Sequence, residues 1–250
     1  MHLLPVDIPM LYSYRSLCLG LLLSFWSALP GLTHADTRPV DPCKTVVAST
    51  QLACYQTRLA AADRELNAVY QRLSTTLEAS RRRAMQEHSR QWIAYKEPLC
   101  LESTGIALGL EPAAARQRPE YLACLYDLTL ARTTYLKQAF GQEGVSPGLA
   151  GMYDDGFGGR LKLQASGKET YKFHLEVVRG PTFHTGEVEG SVRLQAKTAR
   201  FVQKTACDGN EPCCRLTFTR APLFLHVAED SCEMLHGVRA YFAGNYWKVQ

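Results

Sequence analysis

Cysteine placement constrains this chain more than any other feature. Of its nine cysteines, Cys18 lies in an apolar N-terminal run. The other eight divide into Cys43, Cys54, Cys100 and Cys124, then Cys207, Cys213, Cys214 and Cys232, with none between Cys124 and Cys207. An even number in each half of an exported chain reads as two separate disulfide frameworks. A zinc site would prefer Cys-x-x-Cys or closely spaced Cys/His pairs, and neither half has them. Cys213 and Cys214 are adjacent at the start of a predicted strand, where successive side chains point to opposite faces. They should therefore have different partners, one closing the loop to Cys207 and the other reaching Cys232, since a vicinal bridge would be strained.

The oxidising compartment this requires agrees with the N-terminus. Arg15 supplies a positive n-region, Leu17 to Ala28 form an apolar run, and Pro30-Gly31 break it. Thr33-His34-Ala35 then offers small residues for cleavage before Asp36. The run is shorter than the roughly 20 apolar residues of a spanning helix. Leu17 also occupies a position before Cys18 where a lipid-anchored chain needs a small residue. The expectation is a signal peptide over residues 1–35 and a soluble periplasmic or secreted protein, with no stable membrane insertion after cleavage. Its removal takes one Arg and one Asp, so the formal charge of +4 persists. The only like-charge run, Arg81-Arg82-Arg83, is too short to argue for nucleic acid.

Hydrophobic periodicity divides the remainder at the same place as the cysteines. Leu52, Tyr55, Leu59, Ala62, Leu66, Val69, Leu73 and Leu77 recur at steps of three and four, predicting a helix over 49–77 with Ser49 or Thr50 as its cap. Ala84, Met85, His88, Trp92, Tyr95 and Leu99 predict a second over 80–99, with Pro98 near its end. A loop over 102–119 and a third helix over 120–140 follow. Three such helices pack up and down. In that layout Cys43, Cys54, Cys100 and Cys124 gather at one pole, and any of their three pairings is allowed.

After a Gly- and Pro-rich linker over 141–150 the period becomes two. Short strands are expected at 161–163, 171–177, 186–194, 198–203, 215–219, 223–227, 238–242 and 246–249. That pattern suggests an antiparallel barrel or sandwich over 151–250. Leu161, Leu163, Tyr171, Phe173, Leu175, Phe218, Phe224 and Phe242 are candidates to fill its core. The fold class is thus α+β, a disulfide-stapled helical region over 36–140 followed by a β region.

One combination of residues carries a resemblance. It comprises Cys43, Gln51-Leu52-Ala53-Cys54, Ala62-Asp63-x-Glu65-Leu66-Asn67-x-x-Tyr70, Trp92-x-x-Tyr95-x-x-x-x-Cys100 and Cys124-x-x-x-x-Thr129-x-x-Arg132-x-x-x-Leu136. Over about residues 40–140 this resembles the lysozyme inhibitor LprI-like N-terminal domain family. Ser89 stands where that family usually has Gln, and Lys96 replaces an Arg. The resemblance implies an exported helical domain, and some members are described as inhibiting lysozyme. Asp63, Asn67 and Tyr70 share one helix face at steps of four and three. With Trp92 and Arg132 they form a candidate recognition patch. The competing reading pairs Asp63 with Arg132 as a purely structural contact.

Motifs of catalysis are missing from the sequence. It has no Gly-x-Ser-x-Gly, no phosphate-binding loop and no paired acids of a glycosidase. Asp154-Asp155-Gly156 reads as a turn without the further ligands of a calcium loop. His174, His184, His226 and His236 are too dispersed to mark a metal site. No cofactor is expected. The leading expectation is a non-catalytic protein that covers a protein partner in the cell envelope, such as a lysozyme-type muramidase. Its competitors are an envelope hydrolase with a site between the two regions, and a structural or ligand-holding periplasmic protein.

Overall fold

The computed structural model describes residues 41–141, 148–203 and 213–250. The expected signal peptide, most of the linker and Cys207 lie outside them. The helical region runs α1 (Pro42–Thr45), α2 (Ala48–Thr76), α3 (Ala79–Leu108), α4 (Pro112–Ala115) and α5 (Pro119–Ala139). The predicted stripe of α2 points inward through Tyr55, Ala62, Val69 and Leu73. Its start has no side-chain cap. The incoming chain is held there by the Cys43–Cys54 disulfide and by the Tyr55 hydroxyl donating to Asp41 at 2.6 Å. At the start of α3, Glu78 accepts the Arg81 amide at 3.1 Å. The guanidinium of Arg81 donates to the carbonyls of Ala139 and Phe140 at 3.2 and 3.3 Å, satisfying the last turn of α5.

Pro98 does not end α3 as the sequence suggests. The helix continues through it to a left-handed Gly109 cap, absorbing residues 102–108 of the expected 102–119 loop. Proline removes one helical hydrogen bond. Beyond it, burial of Cys100 and Thr104 and the Cys100–Cys124 disulfide offset that loss. Both helical disulfides sit at the pole predicted for them, where Lys44, Tyr55, Leu99 and Cys124 line one hollow. Each stabilises the fold by about 2–4 kcal/mol.

Eight antiparallel strands follow: β1 (Gly151–Asp154), β2 (Gly159–Gly167), β3 (Thr170–Arg179), β4 (His184–Arg193), β5 (Thr198–Val202), β6 (Arg215–Arg220), β7 (Leu225–Asp230) and β8 (Gly244–Lys248). The order β4-β3-β2-β1-β8-β7-β6-β5 is a meander closed through β1 and β8. Between β4 and β5 only the turn-end bridge Gln195–Thr198 forms, so the barrel is nearly closed. On that seam Gly190 faces the Phe201 ring, which a Cβ would approach to 2.4 Å. Cys214 pairs with Cys232, joining the start of β6 to the segment after β7. Cys213 is also disulfide-bonded, as expected for a neighbour pointing the other way.

Leu161, Leu163, Phe173, Leu175, Phe218 and Phe242 fill the barrel, with Tyr171 partly buried against them. Phe224 leaves that set and joins the helices. The segment 238–242 is no strand: Val238 is 95 % exposed, and the Phe242 amide is bonded to the Glu229 carboxylate at 2.6 Å. Its place in the count is taken by β1, four residues long and too short to read as a strand in advance. The two regions share a core. Val69, Leu73, Met85, Leu136 and Phe140 from the helices bury Trp247 and Val249 from the end of the barrel. Trp247 packs against Phe140 at 4.8 Å and Phe224 at 5.2 Å between ring centroids. Each such pair contributes about 1 kcal/mol beyond burial. No helix among the described residues is long and apolar enough to cross a membrane.

Candidate functional site

Because α5 packs against both α2 and α3, those two helices leave a gap between them. It forms a groove of about 440 Å³ whose lining includes Asn67, Tyr70, Ser89, Trp92, Ile93 and Arg132. Four of the five residues expected to form a recognition patch therefore line one groove. The steps of four and three on α2 put Asn67 and Tyr70 on its rim, and α5 contributes Arg132 from below. The fifth, Asp63, is half-buried one turn away and outside the lining. The structural pairing of Asp63 with Arg132 does not form, because Arg132 points to α3.

The contacts of Arg132 fix a protonation state. Nη1 lies 2.8 Å from His88 Nδ1, and Nη2 donates to Ser89 Oγ at 2.9 Å. A guanidinium only donates, so Nδ1 must accept and the hydrogen of neutral His88 sits on Nε2. That atom lies 2.8 Å from the Asp155 carbonyl and 3.1 Å from the Tyr135 hydroxyl, which share its hydrogen. Tyr135 and Phe157 stack on the two sides of the imidazole, each 4.9 Å away. Burial, reinforced by the Arg132 charge, pulls His88 down to about 4.

Arg132 itself is only 2 % exposed, and no carboxylate among the described residues lies within ion-pair distance. Burial pulls it down to about 10. Its guanidinium lies 5.5 Å from the Trp92 ring centre and 5.1 Å from that of Tyr135. Such contacts contribute up to about 2 kcal/mol each when desolvated. The penalty for burying an ion is several kcal/mol. The neutral partners and aromatic faces thus offset the burial of this charge without pairing it.

Trp92 and Arg132 also form a partition. On their far side is a second cleft, about 400 Å³, bounded by Tyr95, Tyr135, Asp154, Phe157 and Arg160. Asp154 accepts the Gly156 amide at 2.6 Å, and Arg160 lies 3.7 Å away. Burial pushes this carboxyl up to about 6. Asp155 turns away from the cleft into a buried ion pair with Arg179 and accepts the Phe157 and Gly159 amides, both at 2.8 Å. Arg179 also donates to the Tyr241 carbonyl at 3.0 Å. These bonds make a rigid turn at the barrel mouth, against which His88 is seated.

His88 and Asp154 are the candidate-site residues that the sequence did not single out. His88 was visible as the single histidine of an apolar helix stripe. Asp154 carried no signal beyond its turn. The barrel histidines have ordinary partners: His174 lies 2.7 Å from Glu187, and His226 lies 2.8 Å from Asn245. Among the described residues no group of three or more His, Cys, Asp or Glu side chains could hold a metal ion.

Among curated proteins and among solved structures no match to the chain is found. A family match does exist, and it falls on the helices that build the groove. Residues 43–136, from the first disulfide cysteine to Leu136 on α5, match the family described as Lysozyme inhibitor LprI.

Proposed function

We propose that this chain is an exported, non-catalytic binding protein that inhibits a lysozyme-type peptidoglycan hydrolase by covering it. The observation that carries the reading is the coincidence of the family match with the groove-bearing helices. The three bridges seen here suit an oxidising compartment. The mature protein begins at Asp36 after signal cleavage. The contact surface is the rim of the groove, where Asn67 is exposed and Ile93 is 60 % exposed beside Tyr70. A net charge of +4 gives no long-range attraction to a basic muramidase. Affinity therefore comes from short-range packing and hydrogen bonds, and should depend weakly on salt. Mature protein at about micromolar concentration, assayed against c-type, g-type and bacterial muramidases, should inhibit at least one of them. Full activity of the whole panel sinks this reading.

One observation favours a second reading, a hydrolase. The cleft between helices and barrel gathers Asp154, Arg160, Tyr95 and Tyr135, and the Asp154 carboxyl is raised into the range of a general acid. A glycosidase needs a second carboxylate facing the first. Asp155, the neighbouring one, is committed to Arg179. The inhibitor reading is therefore preferred, and turnover of a peptidoglycan or glycoside substrate that disappears in Asp154→Asn would reverse that preference.

A further inference from the structure

We propose that the groove between α2 and α3 is a binding site for a small organic carboxylate, with the guanidinium of Arg132 as its counter-ion. Three observations converge on it. First, Arg132 is a buried cation without an anionic partner among the described residues. Of the five N–H donors of a guanidinium, His88 and Ser89 take two. Three remain without an acceptor among the described residues. Second, the residue lines an open groove whose lining contains no Asp or Glu. The remaining polar lining is suited to an anion, since Asn67, Tyr70, Gln86 and Arg90 all carry donors, Arg90 being an exposed cation at the rim that is paired with Glu87. The opposite cleft contains Asp154 and so already holds a negative charge beside Arg160. An anion is therefore directed to the groove side.

Third, the guanidinium is held in place before any ligand arrives. Neutral His88 is locked to the Asp155 carbonyl by one nitrogen and accepts Arg132 with the other. Ser89 fixes the second arm. The plane of the fork is thus set by three elements (α3, α5 and the turn after β1), which lowers the ordering cost of binding. A planar carboxylate matches such a fork in two parallel bonds. A single buried cation suits a monoanion better than phosphate. The apolar walls, from Leu66, Trp92, Ile93 and Leu136, suit a ligand body of modest size with carbon faces.

The carboxylate could be the end of a peptide or that of a sugar acid, and probes can separate these sources. Mature protein is titrated with N-acetyl-alanine and its amide, with N-acetylmuramic acid and N-acetylglucosamine, and with inorganic phosphate. Binding is followed by calorimetry and by the Arg132 Nε–H resonance. At least one carboxylate should bind tenfold or more tighter than its neutral counterpart, and tighter than phosphate, while shifting that resonance. Arg132→Gln should abolish the difference. Asn67→Ala, at an exposed position, should weaken binding severalfold without loss of fold, so the test survives if Arg132→Gln does not fold. Absence of binding up to about 10 mM overturns the proposal. So do equal affinities for charged and neutral probes, or binding that leaves the Arg132 resonance unmoved. The inference shares the groove with the inhibitor reading but does not rest on it: a negative muramidase panel leaves carboxylate binding intact, and the reverse holds.

Discussion

Acidification should set two buried groups against each other. His88 titrates near 4 in the folded protein against 6.5 in an unfolded chain. Between those values only the unfolded state takes up the proton. Stability from His88 is therefore complete above pH 6.5 and is lost as pH falls to about 4, by about 3 kcal/mol. Asp154 does the opposite. Its carboxyl is raised from 3.8 to about 6, so the folded state holds the extra proton in that window. Its contribution is greatest below pH 3.8 and is lost as pH rises through 6, again by about 3 kcal/mol at most, since a quarter of the side chain remains open. In the unmodified protein the two slopes nearly cancel between pH 4 and 6. Asp154→Asn keeps the acceptor for the Gly156 amide and removes one of them. Urea unfolding of both proteins across pH 3.5–7 isolates what Asp154 contributes, because the other groups are common to both. Relative to the unmodified protein, the variant should gain about 2–3 kcal/mol between pH 3.5 and 7. A difference independent of pH, or one of opposite sign, refutes the account of how this site is buried. Proton NMR of His88 supplies the second half, with a midpoint near 4 expected and one near 6.5 contradicting the Arg132–His88 geometry.

Other expectations concern the frame. Gly158 has φ +101, and a Cβ there would lie 2.1 Å from the Val178 carbonyl oxygen. Gly158→Ala should therefore lose at least about 2 kcal/mol in chemical denaturation. Replacing Cys100 and Cys124 together by Ser should lower stability by about 2–4 kcal/mol while circular dichroism retains the helical signal. Trp247→Ala removes the ring that joins Phe140 to Phe224, and should cost about 3–5 kcal/mol in the same denaturation assay.

Much of this architecture was legible because it depends on spacing. The cysteine split, the three-and-four stripe of α2 and the alternation of β2 and β3 each encode a local geometry that tertiary contacts then reinforce. What failed was decided by those contacts. Pro98 reads as a stop, yet helix continuation beyond it is favoured by a buried cysteine and threonine. Residues 238–242 alternate like a strand, yet their amides find a turn carbonyl and a carboxylate instead of a neighbouring strand. Around the candidate groove, helical periodicity brought Asn67 and Tyr70 together, and the resemblance added Trp92 and Arg132. It could not show that Arg132 would turn from Asp63 to His88. That choice is made by the barrel, whose Asp155 carbonyl fixes the imidazole. No pattern within the helices contains it.

The proposed contact with a muramidase lies on the groove rim. It is tested most directly by comparing inhibition constants of the unmodified protein and an Asn67→Ala/Tyr70→Ala variant against a susceptible muramidase, after confirming equal thermal stability. The inhibition constant of the variant should rise by tenfold or more, a loss of about 1.4 kcal/mol or greater. Equal inhibition by the two proteins would place the contact elsewhere and contradict it.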